Sequence, residues 1–107
     1  MNKKTLGLAL GGGGARGLAH VGVFKALLEN NIKISYMAGT SAGAIAGVFL
    51  AAGMPIDKII EIAKSLRWRN FAKFKLSRRS MFSGQPIQDL IEKYLGELTF
   101  KDLKIDF

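Results

Sequence analysis

Leu6-Gly7-Leu8-Ala9-Leu10-Gly11-Gly12-Gly13-Gly14-Ala15-Arg16-Gly17-Leu18 is the stretch on which the fold turns. The apolar run from Thr5 to Leu10, cut off by glycines, predicts a buried strand. Leu18, Val21, Phe24 and Leu28 then recur at helical spacing until Asn30-Asn31, so a glycine loop joins a strand directly to a helix. Five glycines among residues 11–17 are more than a tight turn requires. Glycine tolerates positive φ and lets backbone N–H groups converge on one point, while the following helix N-terminus adds its partial positive charge. The loop is therefore suited to an anion, either a ligand phosphate or an oxyanion that forms during a reaction.

Further along, Ile34 to Ala38 predicts a second short strand, and Ala42 to Ala52 a helix apolar on nearly every face and hence covered. Gly43 and Gly47, four apart, allow a neighbouring backbone to approach that helix closely. Pro55 suits a first helical position, followed by a buried stripe of Ile56, Ile59, Ile60, Ala63 and Leu66. No period holds from Arg67 to Phe82, which reads as loop. Pro86 opens a fourth helix with Ile87, Leu90, Ile91 and Tyr94 on one face, closed by Gly96, and Lys104 to Phe107 begins another strand. Strands alternating with helices imply right-handed crossovers and a parallel-sheet α/β core with helices on both faces. Ligands in such sheets bind beyond the carboxyl ends of the strands.

The second informative segment lies at such an end. Gly39-Thr40-Ser41-Ala42-Gly43 is a G-x-S-x-G between a strand and a helix, the context of a nucleophile elbow. A serine on that strained turn needs small neighbours, hence Gly39 and Gly43, with Thr40 and Ala42 completing the turn. The ordinary alternative is an N-capping serine. A serine attacking a carbonyl here would form its oxyanion beside the glycine loop. The loop's Gly12, Gly14 and Gly17 also fit G-x-G-x-x-G, but the second strand ends at Ala38-Gly39-Thr40 without the acid a dinucleotide site wants. Leu18 stands where a Walker loop has lysine. A phosphate- or dinucleotide-binding module is thus the lesser reading.

A serine nucleophile needs a base. His20, the single histidine, stands early in the first helix, where a structural or solvated role is ordinary and the acid of a triad is missing. Asp57, Asp89, Asp102 and Asp106 lie in helical or chain-end contexts with no turn signature. Composition narrows the field further. The 107 residues fit one domain (1–107), and 49% hydrophobic with 22% charged residues argues against disorder. Zero cysteines exclude a disulfide scaffold and thiolate metal sites. No metal or cofactor is expected. The charge-free window Ile34 to Ile56 holds Ser35, Thr40, Ser41, Pro55 and four glycines, and reads as strand, turn and helix rather than a membrane span. No secretory signal follows Met1, so a cytoplasmic location is expected.

With Gly12-Gly13-Gly14-Ala15-Arg16-Gly17 after the first strand and Gly39-Thr40-Ser41-Ala42-Gly43 after the second, the chain resembles the patatin-like phospholipase family, in its bacterial subgroup of small soluble members. Leu18-Ala19-His20-Val21-Gly22 and the pattern through Gly53 share the likeness. The resemblance implies a Ser–Asp dyad hydrolase of acyl lipids or phospholipids that uses no catalytic histidine. Ser41 would attack the ester carbonyl and form an acyl-enzyme. Backbone N–H groups of Gly13 and Gly14, with Gly12, would hold the oxyanion, and Arg16 would help to fix the loop. Acyl transfer to an alcohol or thiol by the same serine is the rival chemistry. The family's dyad aspartate lies in an Asp-Gly-Gly or Asp-Gly-Ala motif, and no aspartate here precedes glycine. The resemblance therefore implies the N-terminal part of the domain, inactive or very weak alone, with an uncovered sheet edge prone to association.

Lys64, Arg67, Arg69, Lys73, Lys75, Arg78 and Arg79 crowd residues 64–82 among Trp68, Phe71, Phe74 and Phe82. A solvated loop would show such a run, and so would a segment touching an anionic membrane. Single-stranded nucleic acid could also meet this mixture, but no nucleic-acid motif accompanies it, and none is expected as a partner. Net charge is +8.

Overall fold

A computed structural model describes residues 5–13, 17–65 and 85–107. Two strands, β1 (Gly7–Leu10) and β2 (Tyr36–Gly39), pair in parallel with Leu10 opposite Gly39. The crossover between them is α1 (Leu18–Glu29). After β2 come α2 (Ala42–Ala51), a helix α3 over residues 56–65, and α4 (Gln85–Leu95). A short 3-10 turn follows at Phe100–Asp102. Asp106 then bridges in parallel to Tyr36, with Met37 N donating to Asp106 O at 2.8 Å, so β2 lies between β1 and the last residues.

Alternation sorts the strands. Leu10 and Met37 are buried, whereas Gly7, Ala9, Tyr36 and Ala38 are exposed. Register brings Gly7 against Tyr36 and Leu8 against Met37, so the exposed and covered residues fall on opposite faces. Among the described residues, then, one face of the sheet is covered, where the sequence led us to expect both. The first strand is correspondingly shorter and less buried than the run from Thr5 predicts. Apolar content alone does not distinguish a half-covered strand from a fully covered one.

The core sits between this face and the helices. Phe24 of α1 is fully buried and Val21 nearly so, while Leu28 at the same spacing stays exposed. No residue of α2 is exposed, as its all-round apolar character requires. Its two glycines are the reason it seats so closely. A Cβ on Gly43 would collide with the Leu10 carbonyl oxygen, and one on Gly47 would come within 2.5 Å of the Phe107 ring. Lys104 N and Ile105 N both donate to Ala51 O, at 2.7 and 3.2 Å, which ties the end of the chain to the end of α2.

Ile59 and Ile62 bury α3, and Pro55 O accepts from Lys58 N and Ile59 N. The helix starts at Ile56, so Pro55 is the N-cap and not the first helical residue expected from the sequence. In α4, Leu90 and Tyr94 pack on the core, with the Tyr94 ring edge-on to Phe49 at 6.1 Å. Gly96 ends the helix at φ 65°. The loop expected over residues 67–82 lies outside the described residues; the order of elements before it is the one the sequence implied, while the strand expected at Lys104 to Phe107 is reduced to the single bridge at Asp106, preceded by a 3-10 turn.

Candidate active site

Parallel register places the ends of β1 and β2 level, so the chain leaves both strands at the same height. Thr40 N donates to Leu10 O at 3.0 Å and carries the ladder one residue beyond the strands. From that point Gly11, Gly12 and Gly13 run one way and Thr40-Ser41 the other. All five are exposed. A Cβ built on Gly12 would lie 3.2 Å from Ser41 Cβ and 3.8 Å from Ser41 Oγ, so the loop passes directly against the serine. The two segments singled out in the sequence are brought together.

Ser41 sits at φ 52° and ψ −123°, a conformation that side chains avoid. It holds the N-cap position of α2, yet its hydroxyl makes no capping hydrogen bond. The ordinary explanation for a serine there is therefore not the one the structure uses. Its neighbours show why the turn is built from small residues. A Cβ on Gly39 would fall 2.7 Å from Ala44 N and from Gly43 C and O, and Gly43 is pressed against the end of β1. Thr40 and Ala42 flank the serine as expected, with Thr40 O accepting from Gly43 N at 2.9 Å.

Two helices begin at this place. Gly17 is the N-cap of α1, and a Cβ on it would be 2.6 Å from Ala42 Cβ, in the first turn of α2. Each N-terminus carries roughly half a positive charge. Neither first turn contains an acid to neutralise it. A negative charge developing near Ser41 would meet both fields at once. Gly13 adopts φ 137°, a backbone that favours glycine. Gly14 and Arg16, the other loop residues that the sequence points to, lie outside the described residues.

His20 Nε2 donates to Gly11 O at 2.7 Å, so its proton is directed at the loop backbone. That contact gave no sequence signal beyond a lone histidine near a helix start. Of the aspartates, Asp102 is committed elsewhere: its Oδ2 accepts from Thr99 N at 2.8 Å, its own N–H donates back to the Thr99 side chain to close a capping box, and Thr99 Oγ1 also donates to Oδ2 at 3.0 Å. The backbone N–H of Thr99, and then its hydroxyl, hold that carboxyl below the ordinary aspartate range. Asp57, Asp89 and Asp106 are exposed and lie on α3, on α4 and beside the start of β2. Among the described residues no cluster of His, Cys, Asp or Glu could hold a metal ion. An open apolar groove of about 240 Å³ runs between α1 and α3, lined by Leu18, Val21, Ile60 and Ala63 with Lys25 and Lys64 beside them. No helix among the described residues is long and apolar enough to cross a membrane.

Comparison with known proteins agrees with the resemblance seen in the motifs. Residues 8–107 match the patatin-like phospholipase family. A patatin-like phospholipase domain-containing protein of Caenorhabditis elegans is 37% identical over 96% of this chain and 8% of its own length. The neuropathy target esterase sws of Drosophila grimshawi is 35% identical over 96% of this chain and 7% of its own. The lysophospholipase NTE1 of Pyricularia oryzae is 33% identical over 97% of this chain and 7% of its own. The chain thus spans less than a tenth of the length of these curated relatives. No solved structure matches it.

Proposed function

The chain belongs to the patatin-like phospholipase family, and from that premise we propose that it supplies the nucleophile and oxyanion loop of a serine lipid acyl hydrolase. Relatives named as an esterase and a lysophospholipase point to carboxylic esters as the bond class. The observation that carries the reading is the contact of Gly12 with Ser41, a serine held at φ 52° with its hydroxyl uncommitted to capping.

In the proposed cycle Ser41 Oγ loses its proton to a dyad aspartate and adds to the ester carbonyl. The carbonyl oxygen becomes an oxyanion held by N–H groups of Gly12, Gly13 and Gly14 and of Ala42, in the field of both helix N-termini. Arg16 steadies the loop. The tetrahedral centre collapses, the alcohol portion departs with the proton, and the acyl group remains on Ser41. Water, activated by the same aspartate, then releases the fatty acid. No aspartate of these 107 residues precedes glycine, so the proposal assigns the base to sequence beyond them and expects residues 1–107 alone, the N-terminal part of one domain, to be inactive. The apolar groove starting at Leu18, one residue after the loop, offers a surface of suitable chemistry for an acyl chain. Coverage of the second sheet face, a cytoplasmic location and peripheral contact of residues 64–82 with anionic membrane belong to the same proposal. The likeness to small soluble bacterial members rests on the motifs alone.

Labelling of the full-length protein with a fluorophosphonate probe tests the central point. Wild-type protein should label at Ser41 and Ser41→Ala should not. Labelling that persists unchanged in the variant removes Ser41 from the mechanism.

A further inference from the structure

We propose that His20 is a positioning residue that aims the Gly12 amide at the reacting oxygen, an assignment that rests on the hydrolase reading above. The Gly11 carbonyl and the Gly12 N–H belong to the same peptide group, and no peptide bond of the described chain is cis. In a trans peptide the two bonds point in opposite directions. Whatever holds the Gly11 oxygen therefore sets the direction of the Gly12 N–H. His20 Nε2 holds it, at 2.7 Å.

That restraint matters because others are weak at this point. Nothing lies within 4 Å of where a Gly11 Cβ would be, and glycine itself leaves φ and ψ broadly free. Without the imidazole the Gly11–Gly12 peptide could rotate with little steric opposition. Gly12 is also the loop residue packed against Ser41, so the plane that His20 fixes is the one beside the nucleophile. The carbonyl only accepts, so the ring must carry its proton on Nε2, which both the neutral Nε2–H tautomer and the imidazolium satisfy. His20 thus acts on the oxyanion loop from the first turn of α1, on the carbonyl side of the peptide, and takes no proton from serine.

The test uses full-length protein with three variants: His20→Ala, His20→Gln and Ser41→Ala. His20→Ala is expected to lower kcat on a soluble ester by about 10- to 100-fold with KM changed less than about threefold, because an oxyanion donor acts in the transition state. His20→Gln, which retains an N–H donor, should recover at least about tenfold of that loss. Long-range proton–nitrogen spectra should show the His20 proton on Nε2, and the Gly12 amide resonance should move in His20→Ala and return toward its place in His20→Gln. Unchanged kcat in His20→Ala, equal losses in both histidine variants, or a proton on Nδ1 with an unmoved Gly12 amide overturns the assignment. Hydrolysis that survives Ser41→Ala overturns Ser41 as the nucleophile instead, and with it the purpose of the aimed amide, while the spectra still report whether His20 fixes the peptide.

Discussion

Among the described residues, Ser41 carries the most backbone strain. A non-glycine residue at φ 52° and ψ −123° costs about 1–3 kcal/mol, and folding retains it only because the surroundings fix the turn. Glycine at position 41 would relieve that cost, less the roughly 0.5–1 kcal/mol that glycine's greater chain entropy takes back. Ser41→Gly should therefore stabilise the chain by about 1 kcal/mol, read as a rise of about 4–8 °C in thermal midpoint. It should abolish probe labelling at the same time. An equal or lower midpoint would mean that the turn is unstrained and that its geometry needs no functional explanation. Asp102 gives a second prediction at this scale. Its folded pKa is depressed by Thr99, so its contribution to stability is present above the unfolded aspartate pKa and is lost as pH falls through the folded value. Thr99→Ala should move the carboxyl midpoint of Asp102 upward, measured by carbon NMR. The backbone N–H at position 99 survives the change, so no movement would show that the hydroxyl contributes nothing to the depression.

Between elements, the two glycines of α2 make a controlled comparison. Both are helical, so both gain about 1 kcal/mol of helix propensity on change to alanine. They differ in what the new methyl meets: Gly43 meets the backbone of Leu10 and Gly11, Gly47 the ends of the Phe107 and Leu10 side chains. Backbone held in a parallel ladder cannot step aside, whereas side-chain ends can rotate. Gly43→Ala should cost about 2 kcal/mol or more in urea unfolding, while Gly47→Ala should fall within about 1 kcal/mol of wild type. Equal effects would mean that α2 floats above β1 rather than resting on it. This contact also shows what was legible in the sequence. Gly39 and Gly43 announced their places because a Cβ there would collide with neighbouring backbone, and Gly13 because its φ of 137° favours glycine. The sheet's one covered face, the cap at Pro55 and the burial of Ile62 were not legible, since they depend on which neighbours arrive from elsewhere in the chain. His20 belongs with them: its partner is nine residues away, and nothing local marks the bond.

For the whole molecule, charge is distributed very unevenly. Residues 64–82 carry seven cations and no acid, and the remainder carries nine cations against eight acids. Nearly all of the +8 therefore belongs to one aromatic-rich stretch. Only its first residues are among those described, but its starting point is informative. Lys64 lines the same groove as Leu18, Leu18 follows Gly17, and Gly17 abuts the first turn of α2 behind Ser41. Lys64, the first cation of the stretch, thus shares a groove with the residue that opens α1. The prediction is that the stretch binds an anionic bilayer surface. Each Lys or Arg near such a surface contributes roughly 1 kcal/mol, within a Debye length of about 10 Å at 0.1 M salt. Changing Lys75, Arg78 and Arg79 together to glutamine should weaken binding to phosphatidylserine-containing vesicles by about 100-fold at low salt. Raising salt toward 1 M, where screening shortens to about 3 Å, should release the unaltered protein as well. Sedimentation with vesicles measures both. Equal binding to neutral and anionic vesicles, or indifference to the triple change, would leave the cluster an ordinary solvated stretch and separate it from the chemistry at Ser41.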